Sequence, residues 1–314
     1  MRENGLPIGL VTDLRNADAM TERIYHSKII LFGEYSMIFN ATALMVPLRK
    51  FSAQWRFSSQ LNAQEAAASN ASLQRFVDYL FSLDEANTVI DLQRFSQELC
   101  YGLYLDSDVP SGYGLGSSGV LVAAVYDRYA FEKSDNLIQL KNLFGKMESF
   151  FHGSSSGIDP LQCYLGKPFR ISAEGVTLLS DDFLPADIHV FLADTGIKSN
   201  TKPLVQYFKN KREDVGYLSG FQTHYVPCVN ACIDHLIKGE KTLFFKALRQ
   251  LTEGQLKYLR PMITDNSIDL FLEKPDFNLG FKISGSGGGG YVLGFTDDRE
   301  QTKQFLEGYD VIWV

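Results

Sequence analysis

The sequence predicts an α+β fold divided into two units, and three observations lead there. A glycine-rich turn, PSGYGLGSSG (110–119), joins a strand-like segment to an apolar helix. A second apolar run, IHVFLAD near residue 190, has the composition of a buried strand and opens a new unit. Near the C-terminus, FKIS (281–284), GSGGGG (285–290) and YVLGF (291–295) read as strand, glycine loop and strand, and a last helix and strand complete an α+β layer. At 314 residues the chain is long enough for two domains. The expected division is 20–185 and 186–314. Residues 1–19 are polar and patternless and are expected to form a mobile tail or an expression remnant.

The elements follow in order. Residues 29–32 form a strand that leads into GEYSM, and strand-like stretches recur at 43–48 and 54–57. Residues 63–81 place Leu73, Phe76, Val77 and Leu80 on one helical face, and a second helix is expected over 88–99. Residues 101–107 form the strand before the glycine turn, and 120–125 form the first turns of a buried helix. Leu137, Leu140, Leu143, Phe144, Met147 and Phe151 recur at helical spacing over 136–151. HGSSSGIDP (152–160) reads as a polar loop. Further helices are expected at 201–213, 218–237, 240–252 and 254–261.

Composition narrows the function. Hydrophobic residues make up 45%, which marks a globular chain, and the net charge of −7 argues against a general nucleic-acid binder. The basic run from Lys198 to Arg212 is followed by Glu213 and Asp214 and reads as a solvated helix face. No apolar run has transmembrane length and no signal-peptide pattern opens the chain, so a cytoplasmic protein without membrane contact is expected. Four scattered cysteines suit reduced thiols. His224, Cys228, Cys232 and His235 fall on one helical stripe. A helix spreads those residues over roughly 16 Å, too far for four ligands on one zinc ion, so core cysteines are the better reading. DTG (194–196) occurs once, without the second copy an aspartic protease requires.

The glycine turn carries the chemistry. Glycines let backbone N–H groups approach an anion, and a helix N-terminus adds free donors and partial positive charge. The alternative is a plain loop with an N-cap serine. Its spacing is neither a P-loop nor a dinucleotide fingerprint. Alone, Glu148 could sit at the solvent margin of its helix, Asp159 could be a turn residue before Pro160, and Lys28 could cap a strand. Together they suit phosphoryl transfer, which needs a divalent ion on the nucleotide and a residue that orients the attacking hydroxyl. Glu148 with Ser118 offers the hard oxygen donors Mg²⁺ prefers, and Asp159 can receive the hydroxyl proton. Lys28 can neutralise developing charge, although an ammonium beside Asp159 also makes that carboxylate a weaker base. GSGGGG is either a flexible hairpin or a second backbone cradle.

Three motifs in order resemble the GHMP kinase superfamily: SKIILFGEYSMIFNATALMVPL (27–48), PSGYGLGSSG (110–119) and KISGSGGGG (282–290). DTGIKSNTKPLV (194–205) is also similar to the family's segment at the same place, and ESFFHGSSSGIDP (148–160) resembles the mevalonate kinase branch. The resemblance implies an N-terminal α/β domain of ribosomal S5 domain 2-like form and a ferredoxin-like C-terminal domain, with the active site in the cleft between. It implies Asp159 as catalytic base, Lys28 as its cationic partner, and Ser118 and Glu148 as Mg²⁺ ligands. Gly112, Tyr113, Gly114, Leu115, Gly116, Ser117 and Ser118 would hold the ATP phosphates. Glu34, Tyr35, Thr201, Gly287 and Gly288 would lie at the acceptor. The implied reaction is phosphorylation of (R)-mevalonate at its 5-hydroxyl by ATP, with a small molecule as the partner and a homodimer left open.

Three positions depart from the branch. Gly33-Glu34-Tyr35 stands where Gly-Glu-His is usual, Gly119 where alanine follows the serine pair, and Ser154-Ser155-Ser156 where a proline is common. Phosphomevalonate, a sugar or another hydroxy acid as acceptor, and a decarboxylating relative, are the alternatives. Galactokinase is disfavoured by the lack of His-x-Asp-Tyr near Glu34, and homoserine kinase by the presence of Asp159. A catalytically dead binder would be expected to lack Lys28, Glu148 or Asp159.

Overall fold

The computed structural model describes residues 23–39, 41–58 and 63–314, and the expected tail of residues 1–19 lies outside them. β1 (Tyr25–Phe32) pairs antiparallel with β2 (Ala43–Phe57). The two stretches expected at 43–48 and 54–57 are one strand of 15 residues. Its halves serve different neighbours: Ala43 to Met45 pair with β4 (Phe169–Ser172), and Ala53 to Phe57 pair with β3 (Leu103–Ser107). β5 (Gly175–Leu178) closes the edge beside β4 and completes a five-stranded antiparallel sheet. Sequence periodicity did not reveal the β4–β5 hairpin, because a four-residue strand completes only two alternations.

Helices cover this sheet. Ala63–Phe81 forms as expected, but the helix expected at 88–99 is two, Asp84–Val89 and Leu92–Cys100. The break has a local cause. Ile90 is extended and bridges Ala130, and the Asp91 carboxylate accepts from the Arg94 N–H to start the second helix. The helix Ser117–Tyr129 is buried along most of its length, which explains the lack of a polar face in its sequence. Trp55 donates its indole N–H to the Ala124 carbonyl at 3.2 Å and locks this helix to β2. The amphipathic helix Leu137–His152 starts on Asn136, whose side chain accepts from Gln139 N–H.

The second sheet has the order β7–β8–β6–β9, all antiparallel, with β6 (His189–Asp194), β7 (Leu279–Ile283), β8 (Tyr291–Thr296) and β9 (Val311–Trp313). Every residue of β7 and β8 is buried, as a sheet centre requires. The helix expected over 218–237 is interrupted. Val215–Gly220 passes through a π turn, Phe221–Tyr225, into Val226–Ile237. The helices expected at 240–252 and 254–261 are instead one helix, Lys241–Tyr258, and a 3-10 turn, Arg260–Met262. Gly254 sits inside that helix because a Cβ there would stand 2.9 Å from the Tyr225 ring. Cys232 is buried in the core, the Cys228 thiol donates to the His224 carbonyl, and His235 pairs with Glu240. No helix among the described residues is long and apolar enough to cross a membrane.

Candidate active site

β1 brings Lys28 to the glycine turn, where the Lys28 N–H donates to the Leu115 carbonyl at 3.2 Å. Gly116 adopts φ 80°, and a Cβ there would come within 2.9 Å of the Lys28 side chain. The glycine is therefore what lets a lysine, 2% exposed, pass beneath the loop. Gly112 (φ 82°) and Gly114 (φ 73°) share the left-handed conformation. Among the described residues, the N–H groups of Gly112 through Ser118 donate to no other group of the chain. A run of unspent donors at the N-terminus of a 13-residue helix is an anion cradle.

Lys28 Nζ lies 2.7 Å from Asp159 Oδ2. The polar loop expected over 152–160 ends earlier, at Gly157 (φ 74°), and Asp159 and Pro160 stand in the first turn of the helix Ile158–Leu165. Proline fits that turn because its missing N–H would have no helical partner there. Gly119 faces this turn, and a Cβ at that position would lie 3.0 Å from the Asp159 carbonyl carbon and the Pro160 nitrogen. Close helix contact thus accounts for glycine after the serine pair. Gly157 packs tighter still, since its Cβ would stand 1.8 Å from the Lys141 carbonyl oxygen.

Glu148 is buried on the helix Leu137–His152. Ser118 Oγ donates to its Oε1 at 2.8 Å, and the Ser155 hydroxyl donates to its Oε2. Burial, with the Asp159 charge nearby, pushes the Glu148 carboxyl up to about 7. Ser155 also receives the Gly157 N–H at 3.0 Å, so the serine run that replaces the usual proline ties its loop to the carboxylate. His152 Nε2 stands 3.0 Å from Ser118 Oγ.

The residues expected at the acceptor lie at or near the C-terminal glycine loop. Glu34 pairs with Lys282 of β7, and both are buried. The Tyr35 hydroxyl donates to the Ser286 carbonyl at 2.8 Å, and its ring packs 4.7 Å from Phe208. Tyr35 holds φ 58°, a conformation tyrosine rarely adopts. Thr201 Oγ1 lies 2.9 Å from Ser286 Oγ. Gly287 and Gly288 direct their N–H groups to the Ser284 and Met262 carbonyls, away from the cleft, while Gly285 and Ser286 line it. Tyr113 likewise turns aside, its ring 5.3 Å from Tyr291.

One cleft of about 590 Å³ gathers Lys28, Glu34, Tyr35, Gly112, Gly114 to Ser118, Glu148, Asp159 and Thr201. A wider depression of about 950 Å³, lined by Glu85, Lys133 and Lys146 among others, lies apart from the Lys28–Asp159 pair. Lys282, Ser286, Ser155 and His152 were not assigned from sequence. A lysine inside an apolar strand, and a histidine four residues after Glu148 on one helix, were the readable signals for two of them.

Residues 85–167, which hold the glycine turn, Glu148 and Asp159, match the family described as GHMP kinases N terminal domain. A mevalonate kinase from Thermococcus sibiricus is 24% identical over 307 residues, covering 87% of this chain and 88% of that protein. The chain is thus similar to the GHMP kinases over residues 85–167 and, more distantly, over most of its length. The relatives so matched are kinases, which are phosphotransferases. The fold of this chain is shared with Streptococcus pneumoniae phosphomevalonate kinase, solved with phosphomevalonate and AMPPNP, at a TM-score of 0.64 and 16% identity over 94% of this chain and 100% of that one. It is shared equally with Lactococcus lactis galactokinase, solved with galactose, at 0.64 and 13% identity over 97% of each chain.

Proposed function

We propose that the chain transfers the terminal phosphoryl group of ATP to the 5-hydroxyl of (R)-mevalonate, giving ADP and 5-phosphomevalonate. The observation that carries the reading is the Lys28–Asp159 pair at 2.7 Å, set in the same cleft as the free N–H run and the Ser118–Glu148 couple. The N–H groups of residues 112–118 receive the phosphate oxygens. Asp159 accepts a hydrogen bond from the acceptor hydroxyl, aims its oxygen at the phosphorus, and takes the proton as the new O–P bond forms and the bond to ADP breaks. In a loose transition state the attacking oxygen has lost little of its proton. Orientation by Asp159 and charge neutralisation by Lys28 therefore act together.

Glu148 and Ser118 fit a Mg²⁺ ion on the nucleotide. Both offer hard oxygen donors, and the Glu148 carboxylate is buried against hydroxyl groups. Bound there, the ion would neutralise charge on the phosphates.

The acceptor end supports a small hydroxy acid. Ile30, Met37, Val205 and Phe208 give apolar walls, and Thr201, Ser286 and Lys209 supply the polar groups. Names of the full-length relatives point the same way. A second reading, a phosphorylated mevalonate as acceptor, is favoured by Lys209, a cation at the cleft without a carboxylate partner among the described residues. A coupled ADP-release screen over mevalonate, phosphomevalonate, homoserine and galactose, with carbon dioxide followed in parallel, tests both. Fastest turnover on mevalonate without gas release is expected. Faster turnover on any other acceptor would replace the proposal.

A further inference from the structure

We propose that His152 is a positioning residue for the divalent cation carried by the nucleotide, acting through the Ser118 hydroxyl. The proposal rests on reading Ser118 and Glu148 as the cation's oxygen ligands. Glu148 and His152 are four residues apart on the helix Leu137–His152, so both project from one face. They converge on a single atom: Ser118 Oγ is 2.8 Å from Glu148 Oε1 and 3.0 Å from His152 Nε2.

A serine hydroxyl has one proton and two lone pairs, and that proton is spent on Glu148 Oε1. Ser118 therefore donates to Glu148, and His152 donates its Nε2–H to Ser118. With both bonds made, the hydroxyl rotor is fixed, and one lone pair remains unspent. The imidazole is exposed, and Ser118 Oγ is its hydrogen-bonding partner. Its helix stops at Gly153 (φ 75°), and its ring lies 6.3 Å from that of Phe151. A preset oxygen pair binds a hard cation without first ordering the serine rotor. Partners that orient ligands in this way are worth about 10–100-fold in metal affinity.

The test is direct binding of Mn²⁺ to the protein–AMPPNP complex, read by electron paramagnetic resonance. His152→Ala is expected to weaken Mn²⁺ binding about tenfold and to leave AMPPNP binding in EDTA unchanged. His152→Gln, whose amide supplies an N–H at similar reach, should restore much of the loss. Should the alanine variant not fold, His152→Met, of similar length and without a donor, gives the same readout. Glu148→Gln separates the two layers of the argument. If Glu148→Gln weakens Mn²⁺ binding and the donorless His152 variant does not, the role of His152 is overturned while the cation site stands. If neither variant moves the Mn²⁺ affinity, the cation site falls and this proposal with it.

Discussion

Asp159 reaches a buried ammonium because the backbone around it is unusually thin. Gly116 makes room for the Lys28 stem, and Gly119 lets the Asp159 turn press against the neighbouring helix. Asp159→Asn should keep the shape and lose the charge. Transfer is expected to fall by about 10²–10⁴-fold, measured in a single turnover, while AMPPNP binding persists. Undiminished turnover would remove Asp159 from the mechanism. Glu148 makes a second prediction. Its carboxyl titrates near 7 in the folded chain, against an ordinary value of 4.5. Between those values the folded state holds a proton that the unfolded state has lost, so stability falls as pH rises from about 4.5 to 7. Melting in magnesium-free buffer should show this slope in the parent chain and a shallower one in Glu148→Gln. Equal slopes would place the titration elsewhere.

Packing between elements explains what could be read from the chain and what could not. The helices over 63–81 and 136–151 were legible because their apolar faces span several turns. The break at Ile90 was not, since it depends on a bridge to Ala130, forty residues away. The π turn at Phe221–Tyr225 was equally hidden, because Phe221 and Tyr225 turn into an aromatic cluster with Phe208 and Tyr258 that only the fold assembles. At the site, Lys28, Glu148 and Asp159 were legible from residue type and motif, and the structure adds their convergence. Gly287 and Gly288 were expected at the acceptor, and the cleft is lined instead by Gly285 and Ser286. Gly287 and Gly288 serve packing, and their N–H groups are spent on carbonyls, which no spacing rule reveals. Gly119 supplies a test at this scale. Gly119→Ala would place a methyl 3.0 Å from the Asp159 backbone, so the helix Ile158–Leu165 must shift by a few tenths of an ångström. Loss of kcat with little change in melting temperature is expected, and an unchanged kcat would show that the contact yields without moving Asp159.

Across the whole molecule, the segment after β1 is tied to the far sheet. Glu34 and Lys282 are 248 positions apart and meet where neither sees water. Burial pushes each toward its neutral form, and the partner's charge opposes that. Removing one member strands a charge, so Glu34→Gln or Lys282→Met alone should destabilise the fold by about 3–5 kcal/mol. The double replacement Glu34→Leu with Lys282→Met should recover most of that in denaturant unfolding, because well-packed apolar groups often match a buried pair. Additive losses would show that the two charges do not depend on each other. The pairing also constrains how this chain can drift over generations. A change at either position alone strands the other, so a lineage that alters this contact must exchange both residues nearly together. Linked substitution at these two sites would then record inheritance of the same buried contact.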